Sequence, residues 1–342
     1  MQALVLAGGE GTRLRPLTLS VPKPVMPLAG RPFLTFMLDW LGRHGVDEAI
    51  LSCGFMSEAV ERVLGDRHGE VALRYVVEDQ ALGTAGPVRL AADHGLIGDR
   101  LLVLNGDVLT DIDLTAQIAQ HDQTGAAATL ALLAVDDTSS YGVVPTAENG
   151  EVEAFLEKSA GPAPTDRINA GAYVLERKVV ERIEAGRPVS FELEVFPAMV
   201  GEGLYGYMAA GYWIDIGTPE RYLEATYDLL ADRVQSTLPP RDETGSLVAE
   251  GCITSGARIG PMSVLGHHCS VGDRSTVERS VLHDHVRVGR DCALTGAVLA
   301  ERAHLGDRVR VEEEAMVGAG AKVADGARVE RGARIEPGER VE

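Results

Sequence analysis

The stretch VGAGAKVADGARVERGARIEPGERV, Val317 to Val341, carries an aliphatic residue at every sixth position: Val317, Val323, Val329, Ile335 and Val341. Four residues after most of them stands a small side chain, Ala321, Ala327 and Ala333. One bulky and one small inward position per six residues is the pattern of a parallel β-helix, whose narrow prism stacks aliphatics along its edges. Backwards, the period passes through Leu299, Leu305 and Val311, and, one short unit earlier, through Leu282, Val288 and Leu294. A second short unit separates these from Leu247, Ile253, Ile259, Leu265, Val271 and Val277, with Gly251, Ala257, Ser263, Cys269 and Ser275 at the small positions. The spacing predicts a β-helix over 247–342. Just before it, STLPPRDETG (Ser236 to Gly245) has the composition of an exposed linker, placed over 236–246.

Residues 1–235 follow a different rhythm, short β-branched runs alternating with longer amphipathic ones. It predicts strands at Ala3 to Leu6, Ala49 to Ser52, Leu73 to Val77 and Leu101 to Leu104, with helices at Phe33 to Arg43, Glu58 to Leu64 and Ala85 to Asp93. This is the signature of an α/β fold with a mostly parallel, Rossmann-like sheet. Further strands are expected at Thr129 to Leu133, Gly142 to Pro145, Val152 to Glu157 and Ala170 to Leu175, as antiparallel additions, and a closing helix at Pro219 to Ala231.

The chain has 51 acidic and 32 basic residues among 342, a net charge of -19 that disfavours nucleic acid and anionic membrane as partners. No apolar run is long enough to span a membrane, and the first strand follows Met1 without a basic leader, so a cytoplasmic protein is expected. The four cysteines, Cys53, Cys252, Cys269 and Cys292, form no CxxC pair, which fits a reducing compartment and no structural zinc.

After the first strand comes Gly8-Gly9-Glu10-Gly11-Thr12-Arg13-Leu14. Glycines there expose backbone N–H groups to an approaching phosphate, and Arg13 and Lys23, the latter between Pro22 and Pro24, supply cations that a triphosphate needs. The spacing matches neither the Walker A pattern nor GxGxxG. Asp107 and Asp215 each end an apolar segment, where a carboxylate enters the crevice at the carboxyl edge of a parallel sheet. Two such carboxylates suit magnesium, which takes few protein oxygens alongside substrate phosphates. His267, His268, His283 and His285 in the repeats raise an acyltransferase reading, outweighed by that of polar residues on outward prism positions.

Seven motifs carry a resemblance: GGEGTRLRPLTLSVPKPVMPLAGRP (Gly8 to Pro32), QALGTAGP (Gln80 to Pro87), LNGD (Leu104 to Asp107), YGVV (Tyr141 to Val144), FLEK (Phe155 to Lys158), INAGAYVLE (Ile168 to Glu176) and YWIDIGTPERY (Tyr212 to Tyr222). In this order they resemble the sugar-1-phosphate nucleotidylyltransferases, and the repeats resemble the left-handed β-helix appended to many members. The resemblance implies transfer of a nucleoside monophosphate from an NTP to a sugar 1-phosphate, with magnesium and release of pyrophosphate. It implies nucleotide contacts at Leu6, Ala7, Gly8, Gly9, Gly11, Thr12, Arg13, Gln80, Gly83 and Thr84, with Arg13 on the departing pyrophosphate and Lys23 on the reacting phosphates. Sugar contacts fall on Gly142, Glu157, Asn169 and Gly171, the sugar phosphate on Lys158, and the metal on Asp107 and Asp215. The LGTAG stretch and Ser190 to Pro197 look most like the GDP-mannose pyrophosphorylases, which favours GTP and mannose 1-phosphate. Glucose 1-phosphate, a heptose 1-phosphate or another NTP, and a catalytically silent subunit of the same fold, stay open. The flat prism faces also suggest a homo-oligomer.

Overall fold

The computed structural model describes residues 1–156, 163–254 and 256–342. They form two compact units, Met1–Gly9 with Thr35–Trp213, and Glu10–Leu34 with Ile214–Glu342.

The first unit is built on an eight-stranded sheet. Its strands are β1 (Gln2–Leu6), β2 (Glu48–Cys53), β3 (Arg67–His68), β4 (Val71–Val77), β5 (Arg100–Asn105), β6 (Ala128–Ala134), β7 (Arg167–Glu176) and β8 (Leu204–Met208). They lie in the order β8-β6-β7-β5-β1-β2-β4-β3. Central β1 is parallel to both neighbours, so Leu6 stands opposite Ser52 on one side and Asn105 on the other. Runs such as Leu101 to Leu104 are apolar on both faces because helices cover a parallel sheet above and below. The expected antiparallel additions are present: β7 pairs antiparallel with β5 and β6.

Helices α1 (Leu34–Arg43), α2 (Ser57–Leu64) and α3 (Gly86–Asp93) fall where periodicity placed them. α4 (Leu114–Thr124) has no counterpart among the expected elements. Its sequence LTAQIAQHDQT is too polar to show a strong apolar stripe, and the helix is set by its ends: the Asp113 carboxylate accepts from Ala116 N at 3.0 Å, and Gly125 closes it in the left-handed conformation. The strands expected at Gly142 to Pro145 and Val152 to Glu157 are reduced to single bridges, Val143 with Leu156 and Ile168, and Thr146 with Val152. Pro145 has no N–H to give a ladder, which explains the interruption. Glu157 and Lys158 lie outside the described residues.

The second unit contains the prism. Two-residue and three-residue strands stack into three parallel sheets; one runs through Leu247–Val248, Val264–Leu265, Val281–Leu282, Val298–Leu299, Met316–Val317 and Arg334–Ile335. Successive turns are thus 17, 17, 17, 18 and 18 residues long, and the two short units seen in the sequence are the five-residue sides of the second and third turns; the first has its short side between Ile253 and Arg258. Leu265, Leu282, Leu299, Val317 and Ile335 fill the interior. Small polar residues at the inward corners serve a second purpose: Ser275 Oγ, Cys269 Sγ and Cys292 Sγ each donate to the carbonyl fourteen residues ahead, at 2.8, 3.0 and 3.1 Å. A corner carbonyl buried without such a donor would cost about 1–3 kcal/mol.

The first turn departs from the expected phase. Leu247 pairs with Val264 and Ile253 with Ser270, which puts both on outward positions rather than among the inward aliphatics. Ile253 is accordingly 66% exposed. Leu247 is buried because this one face of the prism is covered from outside: Val264, Val281, Val298 and Met316, all pointing outward, are each 3% exposed or less. On the other two faces the same position holds mostly charged or polar residues, among them Arg258, Arg287, His304, Arg310, Lys322 and Arg328. The cover includes α5 (Pro219–Leu230), capped by Thr218, whose Tyr227 Oη donates to Arg279 O while the Arg279 guanidinium lies 4.2 Å over the tyrosine ring. Tyr222, also on α5, meets His283 at 3.2 Å. His283 is therefore a buried residue, unlike the outward polar position expected of it, whereas His268 and His285 are exposed and stack on each other at 5.2 Å.

Candidate active site

In the first unit, the carboxyl ends of β1, β2 and β5 come together at one edge of the sheet. Ala7 N donates to Ser52 O at 2.8 Å and Gly106 N to Leu6 O at 3.0 Å, so the turns after β1 and β5 lie against each other. A Cβ on Gly106 would stand 2.6 Å from Leu6 O, so only glycine permits this approach. Asp107 follows at once, half-buried, at the mouth of that edge. Gly8 packs against Gly54 and against the carboxylate of Glu78: a Cβ there would meet Glu78 Oε1 at 2.8 Å, while Gly9 faces open space.

Glu78 was not among the expected site residues, yet it joins two of the motifs. Its Oε1 accepts from Ser52 Oγ at 2.9 Å and its Oε2 from Leu82 N at 3.1 Å. One carboxylate thereby ties the segment from Gln80 to Gly86 to the end of β2, beside the glycine turn. Gln80 itself is exposed. Gly83 adopts φ +76°, and a Cβ on it would lie 2.5 Å from Val189 O. Thr84 Oγ1 donates to Glu192 Oε2 at 2.6 Å and accepts from Phe191 N at 2.9 Å; Ser190 Oγ donates to the same carboxylate at 2.7 Å. Glu192 is a second residue the sequence reading missed, visible there only as part of an acidic segment.

On the neighbouring strands, β7 carries a bulge between Asn169 and Tyr173 that contains Gly171 at φ +74°. A Cβ on Gly171 would lie 2.8 Å from Asn105 Cγ. Asn169 Oδ1 accepts from Gly171 N at 3.0 Å and Asn169 Nδ2 donates to Tyr173 Oη at 2.8 Å. Burial, then the charge of Glu192, holds the Tyr173 hydroxyl well above its ordinary range, so it stays a neutral hydrogen-bonding group. Gly142 O accepts from Asn169 N at 3.1 Å, and Trp213, which donates to Ala170 O at 2.8 Å, packs edge-on against Tyr141. Gly142, Asn169 and Gly171 are thus gathered by one bulge, with an aromatic pair beside it.

The second unit gathers the cations. Gly11, at φ +62°, lies against Thr18 and Lys23, and Thr18 Oγ1 donates to Gly11 O at 2.9 Å. Lys23 is only 8% exposed. Arg13 lies beside Gly217 and Asp215: a Cβ on Gly217 would be 2.6 Å from Arg13 Nη2 and 3.0 Å from Asp215 Oδ2. Arg221 Nη1 stands 3.9 Å from Asp215 Oδ1 on the other side. Among the described residues no three His, Cys, Asp or Glu side chains form a self-sufficient metal site. Asp107 and Asp215 are hard oxygen donors of the sort magnesium takes in ones and twos, with phosphate oxygens completing the shell.

Two family models match the chain: nucleotidyl transferase over residues 2–232, and the GlmU-like C-terminal hexapeptide over 239–330. A mannose-1-phosphate guanylyltransferase of Mycobacterium tuberculosis (strain ATCC 25618 / H37Rv) is 41% identical over 299 residues, 86% of this chain and 83% of its own. Mannose-1-phosphate guanylyltransferase 1 of Arabidopsis thaliana is 33% identical over 337 residues, 93% of this chain and 91% of its own. Among solved structures, HddC from Yersinia pseudotuberculosis complexed with GMP-PN superposes with a TM-score of 0.57 at 29% identity, over 67% of this chain and 99% of that one. With the glycine turn, its cations and the hexapeptide prism all in the matched regions, the chain belongs to the nucleotidyl transferase family.

Proposed function

We propose that this enzyme transfers GMP from GTP to mannose 1-phosphate, forming GDP-mannose and pyrophosphate. The observation that carries the reading is the likeness, over 86% and 93% of the chain, to two guanylyltransferases of mannose 1-phosphate. A sugar-phosphate oxygen attacks the α-phosphorus in line with the departing pyrophosphate. Because that oxygen is already ionised at neutral pH, the reaction needs positioning and charge neutralisation more than a general base. Gly8, Gly9 and Gly11 receive the triphosphate through backbone N–H groups, and Leu6, Ala7 and Thr12 complete the nucleotide contacts. Arg13 balances charge on the pyrophosphate and Lys23 on the reacting phosphates. Gln80, Gly83 and Thr84 face the base; Gly142, Glu157, Asn169 and Gly171 face the sugar, and Lys158 its phosphate. Asp107 and Asp215 hold magnesium, which supplies charge neutralisation on the phosphate oxygens when bound.

The catalytic sequence runs over 1–235, a linker over 236–246 and the prism over 247–342. The protein works in the cytoplasm as a homo-oligomer assembled through prism faces; sedimentation at the mass of one 36.4 kDa chain would refute the assembly. Pyrophosphate release, measured over a matrix of NTPs and sugar 1-phosphates with magnesium, tests the activity. The highest kcat/KM is expected with GTP and mannose 1-phosphate, and preference for another pair rejects the assignment. Asp107→Asn removes one metal ligand charge and is expected to lower kcat at least about a hundredfold with the fold intact; near-normal turnover would take Asp107 out of the metal site.

A further inference from the structure

The segment that carries Arg13 and Lys23 is compact with Ile214–Glu342. Its own regular structure is slight: three single-turn 3-10 helices, Thr12–Leu14, Leu17–Leu19 and Lys23–Val25, and a pairing of Pro27–Leu28 with Arg31–Pro32. Elements this short do not hold a conformation unaided, so tertiary contacts must set it. Three of its backbone or side-chain anchors come from downstream residues. Pro27 O accepts from Tyr222 Oη, Arg15 O accepts from Arg334 Nη1 at 3.2 Å, and Arg31 Nη1 donates to Thr237 O at 2.7 Å. The first two flank Lys23 on either side in the chain.

Proton counting extends the first anchor into the prism. A tyrosine has one hydroxyl proton, and Tyr222 gives it to Pro27 O. His283 Nε2, 3.2 Å from the same oxygen, must therefore be the N–H that donates to it. That assignment requires a proton on Nε2, and because burial, which pushes the pKa of the ring down to about 4, keeps it neutral, the imidazole is the Nε2–H tautomer. The chain of bonds runs from His283 through Tyr222 to the carbonyl four residues beyond Lys23.

We propose that the prism is the template for the cationic segment: His283, acting through Tyr222, and Arg334 are positioning residues that hold Glu10–Leu34, and so Arg13 and Lys23, in the conformation the transfer needs. This rests on the transfer reading above. Displacement of a catalytic group by about 1 Å can cost a hundredfold in rate, so a loosened segment acts on turnover although neither residue touches substrate.

The test compares full-length His283→Leu, His283→Gln and the surface variant Arg334→Gln, using pyrophosphate release and amide hydrogen exchange. Leucine removes the N–H, whereas glutamine places an amide N–H near where Nε2 stood. For His283→Leu we expect kcat to fall about tenfold or more, the KM for the sugar phosphate to stay within about twofold, and amides from Gly11 to Met26 to exchange faster while those of β1, β2 and β5 are unchanged. His283→Gln should restore both readouts, and Arg334→Gln should give a smaller change of the same kind. If His283→Leu does not fold, Arg334→Gln carries the test. Unaltered exchange and kcat in these variants, or a glutamine variant as impaired as the leucine one, overturns the proposal. Wild-type protein that turns over no NTP and sugar 1-phosphate pair, with exchange still faster in the variants, rejects the transfer reading and leaves the template standing.

Discussion

Glu78 shows what a single side chain does that motif reading cannot see. Its carboxylate satisfies Ser52 Oγ and Leu82 N and fills the space beside Gly8. Glu78→Ala orphans both donors, at roughly 1–3 kcal/mol for a buried one, and frees the Gln80 to Gly86 segment from the end of β2 beside the glycine turn. The expected result is a KM for the NTP raised about tenfold with a smaller change in kcat, read from steady-state kinetics. Gly83→Ala acts nearby by a different cause. Its φ of +76° disfavours any Cβ, and the Val189 carbonyl occupies the place the methyl would take. NTP binding measured by calorimetry should weaken sharply. Gly8, Gly83 and Gly171 were legible because glycine is read directly as backbone freedom. Glu78 and Glu192 were not, since a carboxylate's partner 26 or 108 residues away leaves no trace in local spacing.

At the scale of elements, the prism was legible in outline and wrong in its first turn. The six-residue aliphatic period determined the interior from Leu265 onward, because every turn repeats one inward geometry. Leu247 and Ile253 kept the period but lost the phase, since Leu247 is held by the covered outer face instead of the interior. That covered face has its own signature, two apolar residues in succession at Val264-Leu265, Val281-Leu282, Val298-Leu299 and Met316-Val317. An inward period alone does not exploit it. Val298→Lys should test it: an amine forced into that layer ought to cost more than about 3 kcal/mol in urea unfolding. Lys322→Ala, on another face, should stay within about 0.5 kcal/mol. α4 escaped detection for the complementary reason, a helix fixed by Asp113 and Gly125 more than by an apolar stripe.

For the whole molecule, the buried imidazole ties stability to pH. The His283 pKa, about 4 in the folded protein against 6.5 for the free side chain, is lowered by burial, with Asp284 opposing. The unfolded chain therefore binds this proton first as pH falls. The contribution to stability is whole above about pH 6.5 and is lost progressively down to about pH 4, on the order of 3 kcal/mol in all. His121, also lowered by burial, acts in the same direction. Urea midpoints of wild type and His283→Gln should diverge from one another across that window and run parallel above it; parallel behaviour throughout would show that His283 does not titrate on unfolding.

The grouping of Glu10–Leu34 with Ile214–Glu342 also bears on how the chain is made. A ribosome releases the cationic segment early, but its partners Tyr222, His283 and Arg334 emerge late, the last of them after a further 15–60 s or so at ordinary rates of synthesis. During that interval the strands can form while Glu10–Leu34, the segment proposed to hold the triphosphate, has nothing to be shaped by. A nascent or prematurely ended chain would thus carry Arg13 and Lys23 on an unshaped segment, and the proposed nucleotide capture would be reserved for chains that have been completed.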